Sequence, residues 1–489
     1  MRMKRCCVWM LAMVLLLMIL NLPVTVYAAT EQQSGEYVYT VHNDGTVEIT
    51  EYKGHTTANL KIPSTLDGKK VTAIGETVFM RRDELKTVTV PDGVQTIGSF
   101  AFAYCYNLKS VSLPNGLKDI ARGAFNNCNM LTEPQIPETV THVGSDAFTE
   151  SGYDVAANYK NNTLYLNGWM LGASDKLTDV DSFQVAEGTV GLADYAFPST
   201  HLTTLQLPAS LRYIGEGAFI NCSELRTVQL SANNTALAVQ DNVLYNADKT
   251  CLYLDPRGKK ESVYTAPSTL TAVAPYAFYC NAMLQSVSLP NSVTQIGNHA
   301  FASCSELVSA PLPTDLTSIG DCCFMYCYHL QNVILPTGVT ELPESVFQGC
   351  SELTDMTLPV GLKSIGASAF YGCEKITAFS IPDTVNTIGE MAFKDCQALE
   401  QVKLSSTLKV IPAQAFDSCE ALKSITLPST LIKIEFGAFE SSGLESVYIP
   451  DGVTEVEENA FKYSQLQSAR LPEGLTAIRA HAFDGLPLE

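Results

Sequence analysis

Phenylalanine returns at a fixed distance along this chain. Phe79, Phe102, Phe125 and Phe148 lie 23 residues apart, and so do Phe278, Phe301, Phe324, Phe347, Phe370, Phe393, Phe416 and Phe439. Phe461 and Phe483 follow at steps of 22, and Phe197 and Phe219 fall between the two runs. A small residue precedes all sixteen, and in 13 of them it is alanine. A period of this size marks a supersecondary unit that cannot bury its apolar side alone, so the units must stack into a solenoid. Solenoids present long surfaces to partners and rarely carry chemistry.

One repeat shows how a coil is built. In Leu108–Cys128, Leu-x-x-Val-x-Leu alternates with period two and reads as a short strand with Val111 and Leu113 inward. Pro114 removes a ladder donor and stops it. The residue five before each Phe is Ile, Val or Leu, and Gly follows it in eight repeats, Gly98 and Gly297 among them. That glycine predicts either a positive φ or a close approach of backbone. Ala-Phe-x-x-Cys predicts a helical turn with Phe and Cys on one face. Helical turns are bulkier than strands, so the strands are expected to line the concave side.

These residues resemble the BspA-type leucine-rich repeats of bacterial surface and secreted proteins, through the motif Leu-x-x-Val-x-Leu-Pro…Ile-x-x-x-Ala-Phe-x-x-Cys. The resemblance covers about nine-tenths of the chain after residue 28. It implies an α/β repeat fold: a right-handed leucine-rich-repeat solenoid with a concave parallel β-sheet, short helical turns on the convex side and two β-hairpin insertions. It further implies adhesion to host proteins or to other cells, with protein ligands such as host extracellular-matrix or cell-surface proteins.

Residues 1–28 read as a secretory signal, with Arg2, Lys4 and Arg5 ahead of an apolar stretch and Val26-Tyr27-Ala28 as the cleavage site. The expected location is therefore extracellular, free or on the cell surface, with no integral membrane segment in the mature chain. Export removes three cations and leaves 28 Lys+Arg against 51 Asp+Glu, a net charge of −23. Such a surface repels nucleic acid and anionic lipid. Nine of the thirteen remaining cysteines occupy one slot three residues after Phe, with Cys280 one residue off it. Expected on the outer side, where coils fan apart, these cysteines read as buried free thiols that act as small apolar residues.

Three stretches leave the repeat. Glu36–Val41 and Thr46–Ile49 flank a turn at His42-Asn43-Asp44-Gly45, predicting an N-terminal β-hairpin cap over residues 29–60, ahead of a solenoid over 61–489. The steps from Phe148 to Phe197 and from Phe219 to Phe278 are 49 and 59 residues, with hairpin insertions at about 152–183 and 233–263. Both are expected to project from the stack, as a binding lobe or as a packed hairpin with its own small core. The first carries Trp169, the only tryptophan after residue 28. At the other end, Leu488 falls where a further strand would begin. This predicts an uncapped C-terminus that frays or self-associates end to end.

No enzyme or cofactor signature emerges. The seven histidines share no metal-ligand spacing, and Gly215-Glu216-Gly217 is the ordinary repeat segment rather than a dinucleotide loop. No cofactor and no metal are expected. Outward strand positions are mostly small and uncharged, as in Thr87/Thr89, Ser110/Ser112 and Ser286/Ser288. Tyr448 and Arg470 break that pattern, and both residue types are enriched where partners bind. The expected function is a non-catalytic binding or adhesion scaffold, with Trp169, Tyr448 and Arg470 as candidate contact residues. The alternatives are a structural surface-coat component or an accessory subunit of a cell-wall or carbohydrate-active enzyme.

Overall fold

Many coils contribute two strands, one to each of two separate ladders. The computed structural model describes residues 31–486 apart from Thr56, Asp175, Lys176, Thr178, Asp179 and Asp355. The expected secretory segment and Leu488 lie outside these residues. The chain divides into two compact units, Met1–Asn158 and Tyr159–Glu489.

In the first unit, Asn59–Lys61, Thr87–Thr89 and Ser110–Ser112 form one parallel sheet. This is the strand expected from the Leu-x-x-Val-x-Leu pattern, with Val88 buried and its neighbours turned out. A second parallel ladder runs through Lys69–Ile74, Thr96–Ile97, Asp119–Ile120 and His142–Val143. Its inward residue is the Ile or Val five before each Phe, a position read from sequence only as an apolar slot. Gln32–Ser34, Tyr37–Val41 and Val47–Tyr52 form an antiparallel meander, and its last strand continues this second ladder by pairing parallel with Lys69–Ile74.

The second unit repeats the same device twice. Thr163–Leu166 and Trp169–Ala173 form a hairpin whose second arm pairs parallel with Gly191–Leu192. Leu237–Gln240, Val243–Asn246 and Cys251–Leu254 form a meander whose last arm pairs parallel with Ala272–Val273. The insertions therefore do not stand out from the stack as projecting lobes; their final strands are members of it. An antiparallel arm satisfies the backbone groups that an extra strand would otherwise expose.

The convex helical turns are absent: no α-helix occurs among the described residues. The reason lies in the backbone either side of Phe. In the Phe370 coil, Ser368 and Gly372 have φ of 53° and 70°, left-handed values that a right-handed helix cannot contain. The same pair of positions, two before and two after Phe, is left-handed in most coils: Thr77 and Arg81, His299 and Ser303, Gln414 and Ser418. The amides then alternate. Those of Ser368, Phe370 and Gly372 donate to carbonyls of the next coil, each at 2.8 Å, while those of Tyr371 and Cys373 close local turns at 3.1 Å. The Phe-bearing edge is thus a third hydrogen-bonded ladder between coils, made of turns instead of helix.

The phenylalanines stack through the interior. From Phe79 to Phe148 the ring centroids are 5.1, 5.4 and 5.3 Å apart. From Phe278 to Phe483 they are 4.8 to 5.7 Å apart. Such pairs add about 0.5–1.5 kcal/mol each beyond the burial of the rings. Gly98 is a close-approach glycine: a Cβ there would lie 2.6 Å from the backbone of Gly75 in the coil before.

Candidate binding surface

The outward face of the three-residue strands is a regular surface that neighbouring coils present side by side. Its residues alternate with buried ones because a strand turns successive side chains to opposite faces. On Ser446–Tyr448 and Ser468–Arg470, paired in parallel register, Tyr448 stands directly beside Arg470. Tyr448 is 46% exposed, and the Arg470 guanidinium carbon lies 4.5 Å from its ring centroid. A guanidinium over an aromatic face is held by the ring quadrupole, so the pair is pre-oriented while one side of it stays in water. The structure therefore brings together two of the three residues singled out from sequence.

Trp169 is elsewhere, and it is interior. It is 2% exposed, and its ring stacks on Tyr213 at 5.9 Å and 5°. A Cβ on Gly191, its partner in the parallel ladder, would come within 2.5 Å of the indole, so that glycine makes room for the ring. Trp169 lies over Gly191 of the next coil, reaches Tyr213 of the one beyond, and presents no face to a ligand.

Two further features of this face escaped the sequence reading. Ile334 is 83% exposed in the same outward column as Thr357, Ser380, Lys403, Thr426, Tyr448 and Arg470, and Val263 is 61% exposed at the head of the other outward column. Counting from the strand Leu would have found both, because their slots hold Thr or Ser in the coils already read. On the turn edge, Tyr195 and Tyr276 share the slot two before Phe. Their hydroxyls meet at 2.8 Å, and the Tyr195 ring lies over Gly217, which holds that slot in the Phe219 coil.

The cysteine slot is polar as well as buried. All thirteen cysteines among the described residues are free thiols. Those of Cys105, Cys128, Cys304, Cys327, Cys350, Cys373, Cys396 and Cys419 each donate to the carbonyl of the Phe one coil back, at 3.1–3.2 Å. Burial pushes the Cys105 and Cys396 thiols up to about 12 and Cys222 to about 11. They are held neutral, far from the thiolate that reactive cysteines need. Among the described residues no group of three or more His, Cys, Asp or Glu could hold a metal ion. Nor is any helix among them long and apolar enough to cross a membrane.

Parallel ladders, a stacked aromatic spine and a repeating outward strand face define a leucine-rich-repeat scaffold. The chain matches the BspA type leucine rich repeat region over residues 50–178, 173–254, 271–400 and 387–489, and it belongs to that family. The class is generally non-enzymatic. No curated protein matches the chain. Among solved structures it is similar to a leucine-rich repeat protein from Eubacterium ventriosum, at 22% identity over 91% of this chain and 96% of that one, with a TM-score of 0.43. A leucine rich cell surface protein from Faecalibacterium prausnitzii is 27% identical over 76% and 94% of the two chains, with a TM-score of 0.35. The pneumococcal vaccine antigen PcpA is 17% identical over 92% and 98%, with a TM-score of 0.26.

Proposed function

We propose that this protein is a secreted or cell-surface scaffold of a bacterium that binds protein ligands without catalysis, and that Tyr448 and Arg470 form the centre of the contact. The single observation that carries this reading is the exposed, mutually stacked Tyr448–Arg470 pair on the outward strand face. Tyrosine and arginine bring a large contact area, and such anchors supply most of the energy of many interfaces. Membership of a repeat-scaffold family agrees with a binding role, and the leader-like residues 1–28 agree with export.

The test is a binding array of purified extracellular-matrix and cell-surface proteins, run beside a turnover assay on cell-wall polymers. The proposal expects saturable binding to at least one protein and no turnover. Turnover of a polymer with no protein bound would overturn it.

A further inference from the structure

The Phe column has one polar member. Asp255 lies 23 residues before Phe278, where the repeat would place a phenylalanine. Its amide donates to the Ala277 carbonyl at 2.8 Å, the bond most repeat Phe residues make to the next coil. Its carboxylate is buried, 5% exposed. Two groups meet it there. Lys259 Nζ lies 3.0 Å from Oδ1, with the lysine side chain 11% exposed. Asn281, 1% exposed, donates Nδ2 to Oδ2 at 2.9 Å and occupies the slot that holds cysteine in most coils. The other amide atom, Asn281 Oδ1, is buried with no hydrogen-bond partner. Tyr264, packed on Phe278 at 4.9 Å, belongs to the same interior.

An amine, a carboxamide and a carboxyl that touches both, shut away from water, are the complete set of groups for one reaction. We propose that Lys259 and Asn281 become joined by an intramolecular isopeptide bond, with Asp255 as its general acid–base. A buried ion pair relaxes by moving its proton, because low dielectric penalises both charges. The Lys259 ammonium gives a proton to Asp255 and becomes a neutral amine. Rotation of the Asn281 amide then lets the Asp255 O–H donate to the unsatisfied Oδ1 and polarise the carbonyl. Lys259 Nζ attacks Cγ, the Nζ–Cγ bond forms, and the Cγ–Nδ2 bond breaks. Asp255 relays the proton shed by Nζ to the departing nitrogen; with the proton first taken from Lys259 that nitrogen leaves as ammonium, and the Asp255 carboxylate is regenerated. No oxidation occurs and no co-reactant is needed. Burial raises the Asp255 carboxyl above its usual range despite the neighbouring Lys259, the direction an acid needs to hold a proton here. The product would clasp the second insertion to the coil that follows it.

Peptide mapping of the folded full chain decides the matter. Digestion with a protease that cuts between the two residues should give one branched peptide joining the Lys259 and Asn281 segments, lighter by one ammonia than the sum of its parts. Lys259→Arg keeps the positive charge opposite Asp255 but offers no amine, and should give two linear peptides from protein with an unchanged circular dichroism spectrum. Two linear peptides of full mass from folded wild-type protein would overturn the proposal. A branched peptide that persists in folded Asp255→Asn would overturn the part assigned to Asp255.

Discussion

At the scale of single residues, the slot three after Phe shows how a small side chain ties coils together. A thiol there reaches back one coil, as Cys373 Sγ does to the Phe347 carbonyl at 3.2 Å. A hydroxyl in the slot is shorter. Ser464 Oγ turns to the Phe461 carbonyl of its own coil at 2.7 Å, while Ser151 and Ser442 Oγ are buried with no partner. Cys373→Ser should therefore be no better tolerated than Cys373→Ala, each costing about 1–3 kcal/mol in denaturant unfolding. Serine that restores wild-type stability would show that reach is irrelevant. The same thiols set an alkaline limit. Because folding raises their pKa, their contribution is fully present below the unfolded value of about 9 and is lost as pH rises toward the folded values near 11–12. The slope is about 1.4 kcal/mol per pH unit for each thiol in the cooperative unit. Unfolding midpoints should be flat from pH 7 to 8.5 and fall steeply above pH 9.5; an unchanged midpoint at pH 10.5 would contradict the neutral-thiol spine.

At the scale of elements, the turn edge is built from two kinds of glycine that differ in why they are glycine. Gly372 has φ +70°, yet a Cβ there would meet nothing closer than 3.8 Å, so only backbone strain opposes a side chain. Gly98 has no positive φ, but its added Cβ would lie 2.6 Å from backbone. Gly372→Ala should cost about 1 kcal/mol, and Gly98→Ala about 2–3 kcal/mol because two coils must move apart. Equal costs in thermal or denaturant unfolding would mean that the two positions have been misjudged. The outward strand was legible from sequence because Val111 and Leu113 alternate with serines. The second ladder was less so, because two-residue strands such as Thr96–Ile97 are too short to show a period. Left-handed residues were illegible for another reason: Ser, Gln, His and Tyr all occupy those slots, so composition carries no signal there. The order of the ladders was likewise hidden, since Trp169 in a hairpin reads as an exposed anchor until its parallel pairing to Gly191 is known.

At the scale of the whole molecule, periodicity decides the architecture and its interruptions mark where individual chemistry enters. Asp255 was within reach of sequence reasoning, because it stands 23 residues before Phe278, inside the stretch read as the second hairpin insertion. Lys259 and Asn281 were not, since only the folded chain brings them to its carboxylate. The binding face shows the same division. Tyr448 and Arg470 are 22 residues apart and could be paired by counting, whereas their stacked geometry needed the sheet register. The central functional claim is that this pair, on this face, carries recognition. It is tested most directly by isothermal titration of a protein ligand captured by the full chain, with wild type, Tyr448→Ala, Arg470→Ala and a Thr87→Ala control on the same strand face of the first unit. Loss of at least tenfold in affinity for either of the first two variants, about 1.4 kcal/mol or more, with the control unchanged, is the predicted result. Wild-type affinity in the Tyr448→Ala and Arg470→Ala variants, both still folded, would contradict it.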